Sequence, residues 1–506
     1  MPPVRRPPVR FRSYILAFGT IALILILAHG PLLQLPYYWD EIGQFVPASL
    51  DLFHAGFLTG SGWIPVSTVP NVHPPGVMAY LAAFWSIFGY SIVATRVAML
   101  LVAAFGALFT FLLAIELARG AAGTPAFAAL VLLCVSPLYF AQSMLAQLDM
   151  PAMCLSILAL LLFLQNRFRA SALGCVILVL VKETGLVVPA LFGCWLLIER
   201  RGRRQTRKDV RQALWFLLPL PGLLFWFAVL HRATGHWFGN AAFTAYNLWE
   251  PLHPVRFLLA LARRLYYLFI GSGHFIGTGA LLWAWRRMPL LRDRHWRIAA
   301  CFVGVHVLMV SALGGAVLER YLLPALPVVY IAFAVSMQAL LPRTRHMVLT
   351  ALLACLIAAS FVNPIYPFPF ENNLAFVSFT RLQESAADAV DRWPPEASVA
   401  TAFPMADALR NPAFGYVASP RKVAEMADFS APEIERLKLR RPDMVVVFTR
   451  VWDPLHILDI PAVRSLLVRE YDYRPDLSAG EIASALSMRV TSRWTRRGLS
   501  IELLTR

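Results

Sequence analysis

Two short stretches concentrate the side chains able to do chemistry. Tyr38-Trp39-Asp40-Glu41 closes the first long apolar run, and His73-Pro74-Pro75-Gly76 follows it further along the chain. Adjacent carboxylates beside hydrocarbon are costly unless a site uses them or a partner pairs them. In a pocket at the membrane surface, one suits a general base that takes the proton of an acceptor hydroxyl as it attacks an activated sugar carbon. The competing reading is an acid pair that caps an interfacial helix. Adjacent side chains point in different directions on any backbone, so at most one of Asp40 and Glu41 faces a reacting centre. The other orients a partner or binds a metal.

The Pro74-Pro75 pair predicts a turn that opens a helix. His73 then lies at that helix's N-terminal end, where backbone donors favour an anion such as a lipid-linked phosphate. Asp149-Met150-Pro151 puts an acid at the start of a further apolar helix, either as its cap or as a second acid of the same outer cavity. Lys182-Glu183 is a charge pair inside an apolar hairpin, which is rare without a reason. It is either self-neutralising, or Lys182 approaches a phosphate. Glu319-Arg320-Tyr321, ahead of Leu322-Leu323-Pro324, is either an interfacial anchor or a guanidinium fork for phosphate.

These residues need a membrane scaffold to hold them. The chain has 506 residues, 58% of them hydrophobic and 15% charged, with a mean hydropathy of +0.61. A soluble domain of this size lacks the interior to hide so much apolar surface. The fold class expected is mainly α: a polytopic transmembrane helical bundle with a small C-terminal extracytoplasmic α/β domain. A net charge of +17 would suit nucleic-acid binding, but the arginines crowd short loops instead. These lie at Arg5–Arg12, Arg119, Arg167–Arg169, Arg200–Arg211, Arg286–Arg297 and Arg343–His346. That is the positive-inside pattern, which places those loops and the N-terminus in the cytoplasm and argues against nucleic acid. Residues 34–73, assigned to the opposite side, contain no Lys or Arg.

The spans expected are 14–35, 91–116, 124–142, 150–165, 171–182, 184–198, 213–230, 266–285, 298–315, 320–341 and 347–362, about eleven crossings in all. The pair within 171–198 reads as two short spans or as one re-entrant hairpin. Residues 41–56, 75–88 and 251–265 suit helices lying in the interface. The six cysteines fall in apolar stretches with no ligand or disulfide spacing, and read as small buried hydrophobes. A transmembrane domain, 1–362, with a catalytic outer loop at 36–90, is followed by an α/β domain at 363–506. There Ser398–Phe403 and Met444–Phe448 read as buried strands, and Arg381–Arg392 and Ala431–Arg440 as helices. The α/β domain carries no Gly-rich phosphate loop or nucleotide fingerprint.

Taken in order, these motifs resemble those of bacterial relatives of the protein O-mannosyltransferases and aminoarabinose lipid A transferases (glycosyltransferase families 39 and 83). Those are membrane glycosyltransferases of the C-type (GT-C) fold, and the resemblance runs over roughly residues 10–345. It implies an inverting transferase that moves a monosaccharide from a polyprenyl phosphate to an extracytoplasmic glycan, glycolipid or protein. Asp40 matches the carboxylate taken as catalytic base, Glu41 its partner and Asp149 the second outer acid. His73 falls where relatives place a His or Lys near the donor phosphate. Lys182 and Arg320, with Tyr321 beside it, match less well-defined positions. Gly76-Val77-Met78 stands where protein mannosyltransferases continue with Leu-Gly-Lys, which counts against a protein acceptor. The C-terminal domain lacks β-trefoil character and reads as an auxiliary domain that receives the acceptor or an assembly partner.

The resemblance implies a bacterial inner (plasma) membrane location, multi-pass, with the C-terminal domain periplasmic or extracellular. A transporter or flippase of lipid-linked saccharides is the alternative from another class; it would show internal repeats and helices broken near the midplane. A catalytically inactive scaffold is a third. The sugar, the acceptor and the oligomeric state are not legible. A divalent metal stays open, because Asp40, Glu41, Asp149 and His73 lie in separate loops with no ligand spacing.

Overall fold

In a computed structural model, the structure describes residues 11–56, 72–118, 123–199, 207–238, 244–362, 366–367 and 370–506. Residues 5–10, Arg119, residues 200–206, residues 57–71 of the outer loop and the 363–365 boundary lie outside them. Long Ala/Leu/Phe runs form the helices α1 (Phe11–His29), α2 (Val46–His54), α3 (Gly76–Phe88), α4 (Ile92–Ala118), α5 (Thr124–Val135) and α6 (Pro137–Gln142). They continue as α7 (Asp149–Leu164), α8 (Phe168–Val181), α9 (Val187–Ile198), α10 (Arg207–Leu214) and α11 (Pro219–Thr234). The bundle closes with α12 (Pro254–Phe269), α13 (His274–Ala284), α14 (Arg294–Ala312), α15 (Leu326–Ser336) and α16 (Pro342–Ala359). Among the described residues, five helical stretches are long and apolar enough to cross a membrane, and further apolar helices are shorter. α4 lies at the centre, with α1, α3, α5 and α7 against it and α8 beyond α7.

Several of the expected spans are not single helices: 213–230 passes from α10 through a tighter turn at Trp215–Leu217 into α11, and 320–341 becomes α-helical only at Leu326. The 124–142 stretch breaks between α5 and α6 at Ser136-Pro137, where proline withholds the donor that would continue the ladder. The 266–285 stretch breaks between α12 and α13, where Ser272 (φ 55°) and Gly273 (φ 88°) turn left-handed. A Cβ on Gly273 would lie 2.3 Å from Cys355 Cβ, so glycine serves both the turn and the approach of α16. The expectation for cysteine also needs correcting: Cys154 and Cys175 are buried, Cys134 and Cys355 half-buried, and Cys194 and Cys301 exposed. A bundle with apolar outward faces exposes such side chains as readily as it buries them.

The C-terminal residues form α17 (Ala375–Asp391), β1 (Ser398–Ala402), α18 (Met405–Arg410), β2 (Lys422–Met426) and α19 (Ala431–Arg440). Next come β3 (Met444–Phe448), α20 (Pro461–Tyr471), α21 (Ala479–Leu486), β4 (Arg489–Arg496) and β5 (Leu499–Thr505). The sheet order is β2-β1-β3-β5-β4, with β2, β1 and β3 parallel and the β4–β5 hairpin antiparallel. β3 is buried along its whole length, as its Met-Val-Val-Val-Phe run requires of a central strand. Arg497 and Gly498, both at positive φ, make the two-residue turn whose twist suits a hairpin. Ser478 and Glu481 form a reciprocal capping box at the start of α21. The strands and helices expected from the sequence are present, with α17 starting earlier than the Arg381 expected.

Candidate functional site

The residues between α1 and α2 turn sharply. Trp39 takes a left-handed φ of 52°, and its carbonyl accepts from the Ile42 and Gly43 amides at 2.9 and 3.1 Å. That turn sends the side chains of Asp40 and Glu41 to different places. Glu41 is fully buried and paired with Arg96 of α4. Its Oε1 also accepts from the Ala146 amide (2.6 Å) and its Oε2 from the Tyr38 amide (2.9 Å). Arg96 in turn donates to the carbonyls of Pro36 (3.1 Å), Leu35 (3.3 Å) and Met144 (3.1 Å). Glu41 thus ties the turn to α4 and to the approach of α7, and does not line the cavity that Asp40 lines.

That cavity, about 700 Å³, is lined by Asp40, His73, Asp149, Lys182, Arg320 and Tyr321. Six of the seven residues singled out in the sequence therefore meet, from segments far apart in the chain. Leu313, Val310, Leu223 and Phe227 supply apolar wall. Arg320 is the hub: it pairs with Asp40, its Nε lies 3.1 Å from Asp149 Oδ2, and its Nη1 lies 2.6 Å from Glu371 Oε1. Nη1 also donates to Gln147 Oε1 at 3.0 Å. Lys182 Nζ pairs with Asp149 Oδ1 at 2.5 Å and stands 4.3 Å from the centroid of the Tyr321 ring. The two members of Lys182-Glu183 do not neutralise each other; Glu183 pairs with His73 Nδ1 at 3.0 Å. The extended backbone of Lys182 (φ −150°, ψ 123°), between α8 and the short turn Glu183–Leu186, lets the two side chains diverge.

The three acids on Arg320 differ in exposure: 15% for the Asp40 side chain, 6% for Asp149 and 1% for Glu371. Both oxygens of Asp149 are engaged by cations, whereas among the described residues only Oδ2 of Asp40 is. Asp40 is therefore the most exposed of the three, with one oxygen turned to the cavity rather than to a cation. Glu371, between α16 and α17, did not stand out in the sequence, nor did Gln147 or Arg96. Burial pushes the Glu371 carboxyl up to about 7; Arg320 opposes the shift, and Asp40 and Asp149 add to it. The sequence signal available was a lone acid in the Pro/Phe-rich stretch after the last apolar run. Glu319, beside the hub, accepts from Arg263 (2.5 Å) and from Asn372 (2.7 Å), fixing the segment that carries Arg320.

Asp40, Glu41, Asp149 and His73 do not converge as a ligand set. Arg320, Arg96, Lys182 and Glu183 respectively hold them, and among the described residues no group of three or more His, Cys, Asp or Glu is placed to hold a metal.

No family model matches the chain, and no curated protein matches it in sequence. Solved structures do match in fold. ArnT from Cupriavidus metallidurans bound to undecaprenyl phosphate aligns over 98% of both chains, with TM-score 0.59 and 14% identity. The same enzyme in the apo state aligns over 97% of this chain and 98% of its own, with TM-score 0.56 and 16% identity. The archaeal oligosaccharyltransferase AglB from Archaeoglobus fulgidus, in complex with an inhibitory peptide and a dolichol-phosphate, covers 87% of this chain. It aligns over 70% of its own length, with TM-score 0.50 and 11% identity. The chain has the GT-C fold of these membrane glycosyltransferases, and it is a multi-pass membrane protein.

Proposed function

We propose that this chain is an inverting glycosyltransferase that moves a monosaccharide from a polyprenyl phosphate to an extracytoplasmic glycan, glycolipid or protein. One observation carries the reading: a reachable carboxylate, Asp40, shares a partly apolar cavity with two cations, Lys182 and Arg320. The likeness to ArnT bound to undecaprenyl phosphate supports the donor class.

In this reading Asp40 takes the proton of the acceptor hydroxyl. The freed oxygen attacks the anomeric carbon on the face opposite the phosphate, the bond from that carbon to the phosphate oxygen breaks, and the configuration inverts. The bonding electrons leave with the polyprenyl phosphate, whose charge Lys182 and Arg320 neutralise in a site screened from water. His73, held by Glu183 at the approach to α3, adds a donor to the phosphate. Asp149 spaces the two cations by taking one on each oxygen, and Glu41 positions the turn from inside the bundle. The charge pattern of the loops supports a plasma-membrane protein with a cytoplasmic N-terminus and a periplasmic or extracellular cavity and C-terminal domain.

The test is mass spectrometry of lipids and glycans from cells with the protein, without it, and with Asp40→Asn. Accumulation of a polyprenyl-phosphate sugar, with one glycan losing a residue, is expected both in the deletion and in Asp40→Asn. An Asp40→Asn protein that transfers as the wild type does would remove the proposed base.

A further inference from the structure

The C-terminal domain grips the turn that carries Asp40. Both backbone polar groups of Tyr37 are taken from that side: its amide donates to the Phe414 carbonyl (3.1 Å), and its carbonyl accepts from the Tyr416 hydroxyl (2.9 Å). Tyr416 is itself buried and lies 3.4 Å from Gln383 Oε1 of α17. The left-handed Trp39, which lines the cavity, packs edge-on against Phe403 with ring centroids 4.8 Å apart. A Cβ on Gly43, at the end of the same turn, would lie 2.8 Å from the Phe403 ring. Phe403 directly follows β1. It stands at the carboxyl end of a parallel strand flanked by β2 and β3, where open α/β sheets present their ligand crevice. Here that edge meets Trp39 of the membrane bundle.

We infer that the C-terminal domain is a positioning element of the transferase site: Phe403, through Trp39 and Gly43, and Tyr416, through Tyr37, set where the Asp40 carboxylate stands. This rests on Asp40 being the base. Left-handed backbone at a residue such as Trp39 persists only where its surroundings over-determine it. Arg96 and Glu41 hold the turn from within the bundle, and Phe403 and Tyr416 complete the hold from outside.

The experiment compares full-length Tyr416→Phe, Phe403→Ala, Phe403→Tyr and Ile434→Ala proteins with wild type. Ile434, buried in α19, controls for general loosening of the domain. Amide hydrogen exchange over residues 37–43 reads the turn directly, without reference to activity. Transfer kinetics with a polyprenyl-phosphate sugar and titration with undecaprenyl phosphate read the site. Loss of one hydrogen bond predicts exchange roughly fivefold faster in Tyr416→Phe. Displacing the base predicts kcat down by on the order of tenfold to a hundredfold in Phe403→Ala. Lipid-phosphate affinity stays within about twofold of wild type, Phe403→Tyr recovers most of kcat because an aromatic edge returns against Trp39, and Ile434→Ala changes neither readout. Unchanged exchange at 37–43 in both Tyr416→Phe and Phe403→Ala overturns the inference, as does an Ile434→Ala effect as large as theirs. If Asp40→Asn still transfers, the functional reading falls instead, and the exchange data alone then decide whether the domain holds the turn.

Discussion

Glu371 makes the stability of this protein depend on pH in a direction opposite to that of most carboxylates. Its carboxyl titrates near 7 in the folded chain against an ordinary value of 4.5, because it is buried and shares Arg320 with Asp40 and Asp149. An acid whose folded value is raised binds more protons folded than unfolded across the window between the two values. Folding stability therefore falls as pH rises from about 4.5 to about 7, and levels off above. A gap from 4.5 to about 7 corresponds to roughly 3 kcal/mol over the whole window, of which roughly 2 kcal/mol falls between about pH 5 and 8. Other groups titrate in the same range, so the informative quantity is the difference between wild type and Glu371→Gln. Glutamine keeps an oxygen for Arg320 and cannot ionise. The two proteins are expected to unfold at similar temperatures near pH 5, and Glu371→Gln to gain on wild type by several degrees by pH 8. The assay is intrinsic-fluorescence melting of the detergent-solubilised protein across that range. Parallel curves, or a variant that loses ground as pH rises, would refute the claim that burial and the two neighbouring acids outweigh Arg320.

Arg96→Met strands the fully buried Glu41 carboxylate, and is expected to cost about 3–5 kcal/mol. The paired R96M/E41L protein should recover much of the loss in the same melting assay. Gly76→Ala places a Cβ 2.5 Å from the Leu180 carbonyl oxygen. It forces α3 away from α8, lowers stability by about 1–3 kcal/mol, and weakens donor binding by moving His73 off Glu183, which titration with lipid phosphate reads. Lys182→Met removes the cation shared by Asp149 and the Tyr321 face, and should raise the donor KM by roughly 10–100-fold, checked with a purified polyprenyl-phosphate sugar.

Asp40, His73, Asp149, Lys182 and Arg320 were legible because each is a charged or titratable residue at the mouth of an apolar run, and such residues are rare without a task. The partners that make them a site were not. Arg96 sits inside a helix whose other residues are nearly all apolar, so nothing in its neighbourhood announces Glu41 as its counter-ion. Glu371 lies in the stretch connecting α16 to α17, and its tie to Arg320 exists only once the chain is folded. The order of Asp40 and Glu41 was ambiguous for a local reason: the φ of 52° at Trp39 decides which carboxylate turns outward, and tryptophan carries no sequence mark of a left-handed residue. The break at Gly271–Gly273 did not show in the hydropathy of 266–285, because the residues around the glycine pair are mostly apolar. Hydropathy likewise marked Cys194 and Cys301 as membrane residues without saying whether they face protein or lipid.

The pairing of Tyr37 with Phe414 and Tyr416 also sets a schedule. The segment bearing Asp40 is made early in synthesis, but the residues that close over it are made hundreds of positions later. Without those residues the Asp40 turn keeps only its partners within the bundle, Arg96, Arg320 and the Ala146 amide. A chain truncated ahead of α17 carries every charged side chain that lines the cavity, yet lacks Phe403, Phe414 and Tyr416, which hold the turn from the other side.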